Sequence, residues 1–174
     1  MVLFNYENQH MLFDENFQNK GYTNLALFGD GGSRGNPGKS ASGFVIYDIS
    51  NLNLNQARVG LDELITEHAQ IVFQEGVYLG IATNNVAEWN SVVFGLEYVT
   101  KSYPKCKNIK VFMDSDLVVK QIKGIYKIKQ PHLIPLGQKV KELQTNFETF
   151  EISHIYREFN RQADLMVNQC LDKN

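Results

Sequence analysis

The sequence predicts an α/β protein with one mixed five-stranded sheet and helices on both faces. Three strand-like stretches follow one another in the first half of the chain, as in a meander of hairpins. In the second half, helical patterns alternate with two further strands. Hairpin connections imply antiparallel pairing and strand–helix–strand connections imply parallel pairing. We therefore expect strands 1 to 3 to be antiparallel, and strands 4 and 5 to be parallel to strand 1.

The first two strands, at about 22–30 and 42–49, flank a glycine-rich stretch at 29–38. Two functions of that stretch stay open. It can be a wide hairpin turn that needs positive φ angles, or it can expose backbone N–H groups to a sugar-phosphate chain. A third strand is predicted at about 70–81.

Two regions depart from this regular pattern. Residues 1–20 are polar and without a period, and we interpret them as an N-terminal extension of a domain at 21–174. The domain carries an insertion at about 50–69, in which apolar spacing suggests a short helix containing Leu61, Leu64, Ile65 and His68. We assign His68 no role.

A long helix is predicted from Asn85, with Asn85 as its N-cap and Glu88 as capping-box partner. Tyr103 and Pro104 end it. The remaining predicted elements are a strand at about 108–113, a short helix that ends at Gly124, a helix at about 132–147, a strand at about 149–157 and a helix at about 160–171.

Composition indicates a globular protein, with 43% hydrophobic and 21% charged residues. The chain lacks a run of 18 apolar residues, so we expect no membrane partner. The first twenty residues resemble neither a secretory nor a mitochondrial signal. Two cysteines are too few for a disulfide framework or a zinc site, which favours a reducing, cytoplasmic location.

The charge is unevenly distributed. The net charge of −2 alone argues against a nucleic-acid partner, but residues 101–141 contain ten lysines and two aspartates, which gives +8. A locally basic segment can attract phosphates despite the overall sign. The alternative is a lysine-rich face exposed to solvent.

Four acidic residues stand at positions that folding alone does not require: Asp30, Glu88, Asp114 and Asp164. The carboxyl ends of parallel strands meet at one crevice, which can bring Asp30 and Asp114 together. Clustered carboxylates repel one another, and divalent cations relieve that cost. An all-oxygen ligand set selects Mg²⁺ or Mn²⁺ over zinc. Taken singly, each acid can equally be a helix cap, a turn residue or a surface residue.

A phosphate-binding loop of the nucleotide hydrolases is a poor match. Gly38, Lys39 and Ser40 resemble its end, but the required first glycine falls at Ser33. That motif opens a helix, whereas a strand follows here.

Four segments carry a resemblance to a known family. They are DGGSRGNPG at 30–38, ATNNVAEW at 82–89, MDSDLVVKQ at 113–121 and REFNRQAD at 157–164. In this order they resemble the four motifs of type 1 ribonuclease H, over roughly residues 22–172. The fold predicted above is that of this family.

The resemblance implies hydrolysis of the RNA strand of an RNA–DNA hybrid, leaving 5′-phosphate and 3′-hydroxyl ends. It implies two Mg²⁺ ions, for which Mn²⁺ can substitute. By similarity, Asp30 bridges both ions, Asp164 completes one, and Glu88 and Asp114 hold the other. We expect a monomer that needs no small-molecule cofactor.

The resemblance also implies substrate contacts. Residues that read 2′-hydroxyl groups across the minor groove are Gly32, Ser33, Arg34, Gly35, Asn36, Asn84, Asn85 and Glu88. Thr83 matches a position that contacts a phosphate of the DNA strand. Tyr126 and the basic residues around it, Lys123, Lys127 and Lys129, are candidates for a surface that follows the phosphates.

The chain also departs from the family pattern. The loop that carries a histidine in many members is missing, as in the shorter archaeal and plant-like subgroup, so His154 is given no role. The tryptophan-containing basic protrusion of bacterial members is absent too. Two alternatives remain: another nuclease on this fold, such as a resolvase or the nuclease part of a reverse transcriptase, and a hybrid-binding module without turnover.

Overall fold

The computed structural model describes residues 21–52 and 60–174. The predicted N-terminal extension, 1–20, and residues 53–59 of the predicted insertion lie outside the described residues.

The described residues form five strands, five α-helices and one short 3-10 turn. In chain order these are β1 Asn24–Gly35, β2 Gly38–Asp48, α1 Leu61–His68, β3 Gln70–Ala82, α2 Asn84–Ser102, β4 Asn108–Met113, α3 Asp116–Ile122, α4 Ile134–Gln144, β5 Thr149–His154, the 3-10 turn Arg157–Phe159 and α5 Arg161–Lys173. Helix α1 confirms the short helix that the apolar spacing suggested.

The strands form one sheet in the order β3-β2-β1-β4-β5. Strand β1 is antiparallel to β2 and parallel to β4. Strand β3 is antiparallel to β2, and β5 is parallel to β4. The predicted mixed sheet is confirmed, and β1 lies at its centre with the parallel strands on one side.

Alternating residues of β1 face the two helical layers. Leu25 and Leu27 belong to a core that includes Trp89 of α2 together with side chains of α3 and α4. Ala26 and Phe28 face the opposite side, where residues of α1 and α5 complete a second core. Within the described part of the chain, no helix is both long enough and apolar enough to cross a bilayer.

The predicted strand ends in the glycine-rich stretch are wrong. Strand β1 continues to Gly35 and β2 begins at Gly38, so only residues 36–37 form the turn. Positive φ is needed at Gly35 alone in this stretch, where φ is 97°. Gly31 serves a different purpose, because a Cβ there would lie 2.1 Å from the backbone nitrogen of Glu88. This glycine lets helix α2 pack directly on the strand.

The long helix begins one residue before Asn85, but its predicted N-cap is wrong. Helix α2 begins at Asn84, and its N-cap is Thr83, whose hydroxyl oxygen accepts a hydrogen bond from the Val86 N–H at 3.4 Å. Asn85 lies inside the helix and does not cap it. In the second half, α4 is shorter than predicted, α5 extends to Lys173, and β5 ends at His154.

Candidate active site

The four acidic residues come from four different elements. Asp30 is in β1, Glu88 is in the N-terminal part of α2, Asp114 follows the last residue of β4, and Asp164 is in the first turn of α5. All four line one cavity of about 320 Å³, which we call the acidic cavity. The structure therefore brings together the carboxylates that the sequence singled out.

Close helix–sheet packing brings the two helical acids to the sheet. Because Gly31 has no side chain, α2 can approach β1 and place Glu88 beside Asp30. Helix α5 crosses two further glycines in the same way. A Cβ on Gly43 would lie 2.4 Å from the Ala163 carbonyl oxygen, and one on Gly76 would lie 2.3 Å from that of Met166. The glycines thus set the positions of the helices that carry acids.

Neutral donors orient three of the four carboxylates. Asp30 accepts a hydrogen bond from the Gly31 N–H at 2.8 Å. Glu88 accepts one from the Asn84 side chain at 3.0 Å and one from the Ser115 hydroxyl at 2.7 Å. Glu88 therefore bonds to side chains at the cavity, and the predicted capping-box contact is not what positions it.

Asn160 fixes the third of these carboxylates. Its side-chain nitrogen donates to Oδ1 of Asp114 and to the Gly29 carbonyl oxygen, both at 3.0 Å. The residue is only 1% exposed, so these bonds are shielded from water. One buried amide therefore connects the start of α5 to both parallel strands that bear acids.

Asp164 differs from the other three acids, because one of its hydrogen-bond donors carries a positive charge. The Arg157 guanidinium donates to Asp164 Oδ1 at 2.9 Å, and the Asn168 side chain donates to Oδ2 at 2.9 Å. Both carboxylate oxygens of Asp164 thus accept hydrogen bonds from the protein.

The acids interact electrostatically. Burial, together with the nearby Asp114, Asp164 and Glu88 carboxylates, raises the pKa of Asp30 to about 7, while the hydrogen bond from the Gly31 N–H opposes the shift. Burial also raises the pKa of Glu88, with a contribution from Asp114, while the Ser115 hydroxyl opposes the shift. Because neighbouring acids disfavour the ionised forms of Asp30 and Glu88, a bound cation would relieve the repulsion at both.

The donor set of the acidic cavity fits a hard divalent cation. Its acids offer carboxylate oxygens only, which suit Mg²⁺ or Mn²⁺ better than zinc. Across residues 21–52 and 60–174, no three His, Cys, Asp or Glu side chains are already arranged as a metal-ligand set.

The glycine-rich hairpin forms one wall of this cavity. Gly32, Ser33 and Arg34 line it together with Asn84. Asn36 lies in the turn, and its side-chain oxygen accepts a hydrogen bond from the Asn84 N–H at 3.2 Å.

The Arg34 side chain is directed to the end of α5. Its guanidinium donates to the Leu171 carbonyl oxygen at 3.3 Å and forms an ion pair with Asp172. Arg34 thus connects the hairpin to the helix that carries Asp164.

A second cavity, which we call the lysine cavity, has a volume of about 440 Å³. Its lining residues are Asn85, Leu117, Gln121, Ile125, Tyr126, Lys127, Lys129 and Gln130. The structure therefore separates Asn84 and Asn85, which face different cavities. Lys123 lines neither the acidic cavity nor the lysine cavity.

Both the sequence and the fold of this chain resemble those of known proteins. Residues 28–170 match a family described as reverse transcriptase-like. The bifunctional protein Rv2228c of Mycobacterium tuberculosis is 32% identical over 85% of this chain, and the match covers 35% of that protein. The RNase H1 structure from Halobacterium salinarum is 30% identical, with a TM-score of 0.72, and the match covers 87% of this chain and 99% of that one.

The chain belongs to the type 1 ribonuclease H family. A further ribonuclease H structure, LC11-RNase H1 in complex with an RNA/DNA hybrid, is 31% identical with a TM-score of 0.71. That match covers 86% of this chain and 97% of the solved one. The chain spans about a third of the length of the mycobacterial relative.

The end of the final strand leaves a histidine outside the acidic cavity. His154 is the last residue of β5 and is not among the residues that line the acidic cavity. Arg157, on the 3-10 turn that follows β5, does line the acidic cavity. Sequence reasoning gave no role to Arg157, Asn160 or Asn168. Arg157 and Asn160 lie in the segment at 157–164 that resembles the family, so the sequence could have indicated them. No sequence feature pointed to Asn168.

Proposed function

We propose that this chain hydrolyses the RNA strand of RNA–DNA hybrids. The observation that carries the proposal is the acidic cavity, where carboxylates from four elements meet beside a glycine-rich hairpin. The family supports it, and one similar ribonuclease H has been solved in complex with an RNA/DNA hybrid.

The proposal includes two Mg²⁺ ions, with Mn²⁺ as a substitute. Asp30 would be shared between them, Asp164 would complete one site, and Glu88 and Asp114 would complete the other. Two such ions stabilise the attacking and leaving oxygens of an in-line displacement at phosphorus. The ends produced would be a 5′-phosphate and a 3′-hydroxyl. The raised pKa of Asp30 supports cation binding, since a cation offsets the repulsion among the acids.

Recognition of the RNA strand is assigned to the hairpin and the start of α2. We propose that Gly32 to Asn36, with Asn84, Asn85 and Glu88, contact 2′-hydroxyl groups, the feature that distinguishes RNA from DNA. The Asn84 side chain bonds to Glu88 and its N–H bonds to Asn36, so one residue connects hairpin and acid.

We assign the phosphates of the hybrid to the lysine cavity. Lys127 and Lys129 line it beside the exposed Tyr126 ring, and Lys123 lies close in sequence. Cations interleaved with an aromatic ring suit a phosphate chain. Thr83 is proposed as a further phosphate contact.

We further propose that the protein is cytoplasmic, is a monomer and needs no organic cofactor. Cys106 and Cys170 are both free thiols, which agrees with a reducing compartment.

Asp30→Asn tests the function. With one defined hybrid and Mg²⁺, we expect the variant to bind hybrid and to lose cleavage by at least about a thousandfold, because Asp30 is the proposed shared ligand. Asp62→Asn, on α1, is the matched control and should cleave like the wild type. Mapping both product ends checks the proposed chemistry.

Retention of full cleavage by Asp30→Asn would refute the assignment. Duplex DNA and duplex RNA are digested alongside the hybrid. Cutting of the all-DNA substrate would favour a resolvase-like nuclease, and absence of any metal-dependent cleavage would favour a binding module.

A further inference from the structure

The acidic cavity already contains a cation supplied by the protein. Arg157 donates from Nη2 to Asp164 Oδ1 at 2.9 Å and lines the same cavity as Asp30 and Asp114. The side chain is 79% exposed, so electrostatic attraction holds it there more than packing does.

The other lining arginine is engaged elsewhere. Arg34 bonds to the end of α5 and makes no ion pair with the four acids in the part of the chain that the structure describes. Arg157 is therefore the arginine that offsets the charge of the acid set directly.

We propose that Arg157 is a resident counter-charge at Asp164 that competes with the divalent cation proposed to bind there. This inference rests on the proposed metal-dependent function. Asp164 becomes a full ligand of the cation only when the Arg157 guanidinium moves away. Arg157 therefore weakens cation binding at Asp164 and makes the affinities of the two ion sites unequal.

The chemistry of the side chains supports competition. A guanidinium stays protonated at any working pH, so Arg157 cannot give way by losing its charge and has to move. Its exposure makes that movement into solvent easy. Asn84 and Ser115, the partners of Glu88, are neutral donors, so they add no positive charge that would repel an arriving cation.

Cation titration without nucleic acid tests the proposal. Calorimetry with Mg²⁺, and electron paramagnetic resonance with Mn²⁺, give the number and affinity of bound ions independently of cleavage. In Arg157→Ala we expect the more weakly bound ion to bind about fivefold tighter, the upper range for an exposed charge pair. Arg157→Lys keeps the charge but loses the planar fork, and should lie between Arg157→Ala and the wild type.

Arg161→Ala is the matched control. Arg161 is the first residue of α5, carries the same charge and does not line the acidic cavity, so the variant should bind cations like the wild type. Thermal melts in EDTA establish that all the variants fold.

The outcomes separate the two proposals. Unchanged or weaker cation binding in Arg157→Ala, with normal binding in the wild type, would overturn the inference and leave the proposed hydrolysis standing. If the wild type binds neither Mg²⁺ nor Mn²⁺, both fail.

Discussion

At the scale of single residues, Asp30 shows what it costs to gather four acids in one cavity. Its pKa rises from 3.8 to about 7, first through burial and then through its acidic neighbours. The folded state therefore favours the protonated carboxyl. The unfolded chain releases this proton first as pH rises, so the associated stability is full below pH 3.8 and is lost as pH rises to about 7.

Asp30→Asn should consequently stabilise the cation-free protein. In EDTA at pH 8, we expect the free energy of unfolding to increase by on the order of 2–4 kcal/mol, because the amide removes the buried charge and keeps an oxygen for the Gly31 N–H. The gain should shrink towards pH 4. Thermal or urea unfolding across this range measures it. A gain that is the same at every pH would contradict the electrostatic explanation.

At the scale of elements, glycines decide where helices α2 and α5 lie. Gly31 contacts the backbone of α2, and Gly43 and Gly76 contact that of α5. Interiors this closely packed do not accommodate an added methyl group without a shift of the backbone. The positions of Glu88 and Asp164 therefore depend on residues that have no side chain.

Gly31→Ala and Gly80→Ala form a matched pair on this point. Alanine at 31 has to displace α2, and we expect a loss of about 3 kcal/mol of stability together with impaired cleavage. Gly80 has a φ of 73° and open space around it, so alanine there should cost only about 1 kcal/mol and spare the site. Urea unfolding and a cleavage assay report both effects. Equal losses would show that close packing at Gly31 does not matter.

The sequence predicted elements better than boundaries. Apolar periodicity was enough for the mixed sheet and for most helices. Strand ends failed around Gly31, because glycine has a low strand propensity and the contact that requires it, with α2, is distant in sequence. The cap was predicted at Asn85 and lies at Thr83, because several adjacent residues in this segment are good N-cap residues.

The candidate site shows the same division. The four acids could be selected because each stood out locally, at a strand end or within an apolar helix. The contact between Arg157 and Asp164 and the position of Asn160 depend on how the 3-10 turn joins α5. Local patterns do not specify that junction.

At the scale of the whole molecule, the basic segment is less basic than its composition suggests. In the described structure, acidic side chains neutralise four of its lysines: Lys107, Lys110, Lys120 and Lys139. Lys127 and Lys129 form no such pair there and line the lysine cavity. These two lysines are therefore candidates for the proposed phosphate contacts.

The double variant Lys127→Ala/Lys129→Ala should weaken hybrid affinity and flatten its salt dependence. Each phosphate contact contributes close to one unit to the slope of log K against log salt, so we expect the slope to fall by up to about 2. Lys101→Ala/Lys105→Ala removes equal charge near the opposite end of α2 and should leave the slope almost unchanged. Equal changes in the two variants would mean that only net charge matters.

The hydrogen bond between Asn160 and Gly29 joins residues 131 positions apart. Closing so long a stretch of chain costs more conformational entropy than forming a local contact, so we expect this closure to come late in folding. A newly made or refolding chain can thus contain helices and hairpins while its acids remain scattered. We therefore expect no cleavage until the four acids have been brought together.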